Sequence, residues 1–182
     1  MNIELSWDLF IIVFMALILA YSFIIGRKQT MKIIIATYIA FLASDGLSYF
    51  LKNTIGFSVP AKIFGFSQPN AAILVAILLF IIFIVIMARH HAYDVNIEDG
   101  VADAKYMITT SFAAVLSAIL IVSCVLFYLS GNTMTVLDEH VSKSSILAVA
   151  RQSEIAKAMV DYFYVSFFMP AISLIAVSFL GK

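Results

Sequence analysis

The sequence predicts an all-α protein of the polytopic transmembrane class, with 4–5 hydrophobic helices and an amphipathic helical linker before the last. Hydrophobic residues make up 63% of the 182 residues and charged residues only 12%, whereas soluble domains are about 45–50% apolar and about 25% charged. Apolar windows of nearly bilayer-crossing length recur along the chain. The alternation of period two that marks a membrane β-barrel is absent from the sequence.

The first two windows flank a short basic segment. Residues 9–26 carry no charge, and residues 33–51 carry only Asp45. With a few flanking residues, each reaches the roughly 20 residues that cross about 30 Å of hydrocarbon. Basic residues follow the first apolar stretch instead of preceding it, which is the reverse of a cleavable signal peptide. We therefore predict two retained helices joined by a basic loop at 27–32.

Two further windows complete a predicted four-helix transmembrane domain over residues 1–130. Residues 71–88 and 106–137 carry no charge, and a polar exit, SGNT, lies at 130–133. The loop between the second and third helices repeats a Gly-Phe-Ser-x-Pro pattern, which suits either a loop resting on the membrane surface or a re-entrant loop.

The C-terminal part divides into a polar linker and a fifth hydrophobic segment. The linker, 131–157, has apolar residues at loosely helical spacing, so we predict an amphipathic helix on the membrane or a surface for a soluble partner. The fifth segment, 158–182, has Pro170 near its middle. Neighbouring helices can satisfy the carbonyl that proline frees; alternatively, the segment is re-entrant or lies on the surface as a hairpin.

The basic residues also predict an orientation. Arg27, Lys28 and Lys32 follow the first helix, and Lys/Arg-rich short loops stay in the cytoplasm. We therefore expect the first loop inside and the N-terminus outside.

Asp45 is the main candidate for ion or proton handling. Ser48 and Tyr49 lie one helical turn away and Lys52 two turns along the same face. A carboxylate at the bilayer centre costs about 2.5–3.5 kcal/mol and is a functional hypothesis by default. Asp45 is about 10 Å of rise from Lys52, so we place it off-centre, toward the outer face. An ion or proton site and a hydrogen-bonding clamp between helices both remain open.

Asp161 is a secondary candidate. It lies at the predicted mouth of the fifth helix, where a first-turn acid is stabilised by the helix dipole. Lys157 lies four residues earlier and can pair with it.

Small residues at a spacing of four predict close helix packing in two places. These residues are Ala36, Ala40 and Ser44 in the second window, and Thr110, Ala114 and Ala118 in the fourth.

Composition and motifs argue against an enzyme. Eleven Lys and Arg balance eleven Asp and Glu, which gives no basis for nucleic-acid binding. The sequence contains no nucleophile elbow, P-loop, dinucleotide fingerprint or zincin motif. Cys124 lies in an apolar run and is expected to be a small packing residue. We predict no catalytic residues, no metal site and no cofactor.

Three segments carry a family resemblance: IIGRKQTMKII at 24–34, YIAFLASDGLSYFL at 38–51, and the acidic turn into the fourth helix at 97–129. Together they resemble the bacterial colicin V production protein family over roughly residues 8–130. Gly26 and Arg27 hold the places of the glycine and basic residue that follow the family's first helix. The resemblance implies a small bacterial inner-membrane protein linked to secretion or envelope homeostasis, and it transfers no catalytic residues.

Two functional hypotheses follow. The first is a non-enzymatic inner-membrane protein that works through oligomeric assembly or a partner complex in envelope or secretion processes. The second is a small ion- or proton-coupled channel or transporter subunit that uses Asp45. In either case the expected partners are the lipid bilayer and further copies of the chain or other membrane proteins, because about 180 residues rarely enclose a translocation path alone.

Overall fold

A computed structural model describes residues 7–53, 68–89, 104–130 and 153–180. They form five helices: α1 (Trp7–Asn53), α2 (Gln68–Arg89), α3 (Ala104–Leu129), α4 (Glu154–Asp161) and α5 (Phe163–Leu180). Within these ranges every residue is helical except Ser130, Ser153 and Tyr162, and no strand occurs. The all-α class is confirmed. The predicted loop at 54–67 and most of the predicted linker lie outside the described residues.

Two of the described helices are long and apolar enough to cross a membrane. They are α1, over Asp8–Leu51, and α3, over Ile108–Leu129. A third candidate arises if α4 and α5, which are bent by 65° relative to each other, form one span. The apolar part of α2, Ile73–Arg89, is shorter. These helices are compatible with a membrane location.

The long helix α1 reverses direction at Gly26. This residue has φ 78° and ψ 175°, a backbone conformation that is essentially restricted to glycine. The Thr30 hydroxyl donates to the Ser22 carbonyl at 3.2 Å, although eight residues of straight helix would separate these positions by about 12 Å. We therefore describe α1 as a hairpin with a first arm, residues 7–25, and a second arm, residues 27–53.

The first arm runs antiparallel to α3. The hydroxyl oxygens of Ser22 and Ser117 are 3.5 Å apart. Ile11, further toward the N-terminus, is buried in a cluster with Leu126, further toward the C-terminus of α3. The turn of the hairpin therefore lies toward the N-terminal end of α3.

The second arm runs parallel to α3, away from the turn. The hydroxyl oxygens of Ser44 and Tyr128 are 2.6 Å apart. Residues 27–32 are helical, so the prediction of a loop there is wrong. The physical reason is that Gly26 alone absorbs the reversal, so the basic residues begin the second arm.

Aromatic rings join the second arm to three other helices. Phe41 is fully buried, and its ring centroid lies 5.1–6.4 Å from five others. These rings belong to Phe80 of α2, Phe127 and Tyr128 of α3, and Phe163 and Phe167 of α5. We call this set the aromatic hub. Each edge-to-face or offset ring pair stabilises the folded state by about 0.5–1.5 kcal/mol, in addition to the contribution of the apolar area that it buries.

The C-terminal helices divide at Tyr162, and not at Pro170. The Tyr162 amide donates to the Ala158 carbonyl at 2.9 Å and closes α4, while the Ser166 amide donates to the Tyr162 carbonyl at 3.1 Å and begins α5. The predicted boundary at 157/158 therefore falls inside α4. Pro170 lies within α5, as the tolerated-proline alternative expected. The Tyr38 hydroxyl of the second arm donates to the neighbouring Phe167 carbonyl.

A polar cap fixes the start of α4 beside the first arm. The Ser153 hydroxyl accepts from the Ala156 amide at 3.0 Å and donates to the Asp8 carboxylate. Ala156 is buried with Ile11 and Leu126. The helix α4 therefore packs against both α3 and the first arm of α1.

Candidate functional site

The strongest candidate site surrounds Asp45 on the second arm. Asp45 is only 4% exposed, and its neighbour Ser44 is fully buried. Burial of a carboxylate disfavours its charged form unless partners or a proton compensate. This position is therefore a chemically costly place for an acid.

Two hydroxyl groups and one carbonyl connect the second arm to α3 beside Asp45. The hydroxyl oxygens of Ser44 and Tyr128 are 2.6 Å apart. Each hydroxyl also lies within donor distance of the Phe41 carbonyl, at 3.1 Å for Ser44 and 3.0 Å for Tyr128. A hydroxyl has one hydrogen, so two hydrogens serve three contacts. When one hydroxyl donates to the other, only one of them still donates to the carbonyl.

Asp45 lies on the second arm, which packs against α2, α3 and α5. Few other charges lie in the helices packed around it. Among the described side chains of α2, α3 and α5, only Arg89 carries a charge, and it lies exposed at the end of α2. The described side chains of these three helices are therefore almost all uncharged.

The other residues of the predicted stripe take different positions. Ser48 has a fully buried Oγ with no hydrogen-bond partner among the described residues. Tyr49 is 45% exposed and lies on the outer surface. The side chain of Lys52 lies outside the described residues. The structure therefore brings Ser44 and Tyr128 together beside Asp45, while Tyr49 points away from this buried cluster.

Asp161 does not occupy the position expected for it. It is the last residue of α4, so it lies at the negative end of a helix dipole instead of in a first turn. Its side chain is exposed. The correction follows from the break at Tyr162, which starts α5 after Asp161.

All six small residues expected at helix contacts are buried. Ala36, Ala40 and Ser44 lie on the second arm, and Thr110, Ala114 and Ala118 lie on α3. Close approach of these two elements fits the short hydroxyl contact between Ser44 and Tyr128.

Sequence reasoning missed Tyr128, although a signal was present. Tyr128 lies near the end of an apolar window, in VLFYLSG, and a buried tyrosine usually finds a hydrogen-bond partner. Its partners, Ser44 and the Phe41 carbonyl, are more than 80 residues away in sequence, so only the packing of α3 on the second arm identifies them.

Metal ligands do not cluster in the part of the chain that the structure describes. No group of three His, Cys, Asp or Glu residues there is able to hold a metal ion. Cys124 is buried in the core. His90 and His91 lie outside the described residues.

No protein-family model, curated protein or solved structure matches this chain.

Proposed function

We propose that the chain is a non-enzymatic integral membrane protein that works by assembling with further copies of itself or with partner proteins. The observation that carries this proposal is the contrast between the inside and the outside of the described helices. The aromatic hub fills the centre, while large apolar side chains such as Leu17 and Ile24 face outward. Lipid and other membrane helices are the contacts that such a surface favours.

The proposed membrane arrangement has four or five crossings. The first arm of α1, about 28 Å long at 1.5 Å per residue, and the second arm would each cross, followed by α2 and α3. The bent pair α4–α5 would be a fifth crossing or a re-entrant segment. Because Arg27, Lys28 and Lys32 lie at or just beyond the hairpin turn, the positive-inside rule supports a cytoplasmic turn and an N-terminus outside.

The resemblance to the colicin V production protein family supports a cellular setting. It favours the bacterial inner membrane and a role in secretion or envelope processes. Both remain part of the proposal.

A second function is favoured by one specific observation. Asp45 is buried on the second arm next to the Ser44–Tyr128 hydroxyl pair, and no other acid occurs among the described side chains of the second arm, α2, α3 and α5. Buried intramembrane acids mark ion paths and proton relays. This observation favours an ion- or proton-coupled channel or transporter subunit.

One experiment separates the two functions. The wild-type chain, Asp45→Asn and the exposed control Asp161→Asn are purified in detergent for native mass measurement and reconstituted into vesicles for ion and proton flux. A wild-type mass equal to two or more copies of the 20.1 kDa chain, or one that includes a partner, supports assembly. A mass of one chain alone contradicts it. Flux that only Asp45→Asn abolishes, with the mass unchanged, supports the coupled transporter. Loss of assembly in Asp45→Asn alone instead assigns Asp45 to helix packing.

A further inference from the structure

The turn of α1 brings three cations close together in the chain. Arg27, Lys28 and Lys32 all lie at the start of the second arm. Lys28 and Lys32 each interact with a further group, whereas the Nε of Arg27 is fully buried and has no hydrogen-bond partner among the described residues. Buried donors without a partner are rare in folded proteins. Arg27 is therefore the residue of the turn whose role needs an explanation.

Helix capping does not explain Arg27. A basic side chain at the end of a helix commonly binds the last carbonyl groups, and the first arm ends just before Arg27. The Thr30 hydroxyl takes that role here, because it lies within donor distance of the Gly26 carbonyl at 2.9 Å and the Ser22 carbonyl at 3.2 Å. Arg27 also begins the second arm, where a cation faces the positive end of the helix dipole. Neither arm therefore gains from a cation at this position.

An anion beside Arg27 would account for both features. The planar guanidinium binds two phosphate oxygens at once through parallel N–H groups, and a negative charge there is favoured by the dipole of the second arm. Arg27 as a whole is only partly buried, so its side chain can turn Nε toward a group that arrives from outside. Lys28, the next residue, adds positive charge to the same place.

Exposed apolar residues just before the turn indicate which kind of anion fits. Ile24 is 83% exposed and Phe23 is 53% exposed. The first arm, about 28 Å long, nearly matches the hydrocarbon thickness of a bilayer. In the proposed membrane arrangement, these two side chains therefore lie among acyl chains, while the turn lies at the level of the headgroups. A phospholipid supplies both an apolar and a phosphate contact, whereas inorganic phosphate supplies only the second.

We propose that the turn of α1 binds an anionic phospholipid, with Arg27 holding the headgroup phosphate and with Phe23 and Ile24 contacting an acyl chain. The proposal goes beyond assembly, and it rests on the membrane arrangement of the proposed function. Basic sites at the ends of membrane helices recognise such headgroups. An anionic lipid is favoured over phosphatidylcholine, because the positive choline group is repelled by the same cations.

The test is lipid titration of the full chain in detergent, read by native mass spectrometry, which counts the bound lipids and gives an apparent Kd. The lipids are phosphatidylglycerol and phosphatidylcholine, and inorganic phosphate in large excess serves as a soluble competitor. Arg27→Gln removes the charge, and Arg27→Lys keeps the charge but removes the planar fork. Arg89→Gln and Arg89→Lys are the matched controls, because Arg89 is an exposed arginine at the end of α2. Circular dichroism checks folding, and the lysine pair carries the test if Arg27→Gln does not fold.

We expect wild type to bind phosphatidylglycerol more tightly than phosphatidylcholine, and inorganic phosphate to leave the lipid bound. Arg27→Gln should weaken phosphatidylglycerol binding by about fivefold or more, which is the contribution of one basic residue near anionic headgroups. Arg27→Lys should lose part of this affinity, and the Arg89 variants should keep it. Equal affinity for the two lipids, displacement by inorganic phosphate, or equal losses at Arg27 and Arg89 would overturn the proposal.

The same spectra separate the lipid site from the function on which it rests. Selective binding of phosphatidylglycerol to a single chain would support the lipid site and contradict assembly. A mass of two or more copies without preference between the lipids would contradict the lipid site and leave assembly standing.

Discussion

At the scale of single residues, the turn of α1 depends on Gly26, which has no side chain. Gly26 has a positive φ of 78° with ψ near 175°, and an L-residue there costs of order 1–3 kcal/mol. We predict that Gly26→Ala lowers the free energy of unfolding by about 1–3 kcal/mol, measured by denaturant titration in mixed micelles.

Gly46 provides the matched control for this substitution. It lies in the helical second arm, and a Cβ added there meets nothing within 4 Å. Gly46→Ala should therefore be neutral or stabilising by about 0.5–1 kcal/mol, since alanine is the better helix former. Equal effects at both glycines would contradict the assigned role of Gly26.

At the scale of elements, the short helix α4 depends on its polar cap. Ser153 satisfies the Ala156 amide and also donates to Asp8, and loss of an N-cap side chain typically costs about 0.5–2 kcal/mol. We predict that Ser153→Ala increases amide hydrogen exchange in α4 by about threefold to thirtyfold, measured by mass spectrometry. Ser173→Ala is the control, because its hydroxyl bonds within α5 to the Pro170 carbonyl. Unchanged exchange in α4 would show that apolar packing alone holds this helix.

The sequence predicted the elements better than their ends. Charge-free windows located the apolar parts of α1, α2, α3 and α5, because lipid excludes charged side chains over the length of a crossing. The break at Tyr162 escaped prediction, since no glycine or proline marks it and its hydrogen bonds depend on how α4 packs. The sequence instead indicated Pro170 as a candidate break in the fifth segment, yet α5 continues through it.

The site was predictable in part for a similar reason. Asp45 stands out because a lone acid in an apolar window is visible in sequence. Tyr128 does not stand out, because its role depends on contact between α3 and the second arm. Helical spacing also placed Tyr49 on the stripe of Asp45, but its ring lies on the outer surface.

At the scale of the whole molecule, both arms of α1 pack on one helix. In a straight α1, Ser22 and Ser44 would be about 33 Å apart, whereas their contacts on α3, Ser117 and Tyr128, are separated by about 16 Å of rise. The hairpin therefore predicts that Ser22→Cys with Ser117→Cys forms an intramolecular disulfide in a Cys124→Ala background. The two hydroxyl oxygens are 3.5 Å apart, which is compatible with disulfide geometry after small adjustments.

The cross-link is read by mass spectrometry of the oxidised monomer. Ser22→Cys with Ser130→Cys is the control, because Ser130 lies about 20 Å further along α3 and should not react with position 22. Formation of intermolecular dimers alone by the first pair would contradict the hairpin.

The reversal at Gly26 also bears on how the chain enters the membrane during synthesis. A turn of one residue leaves no spacer between the arms, so the first arm is followed immediately by the second as the chain leaves the ribosome. In the proposed membrane arrangement, the two arms should then insert as one unit, with Arg27 and Lys28 at the end that the arms share. Assembly of the rest would begin on this preformed pair, with α3 arriving later to pack against both arms.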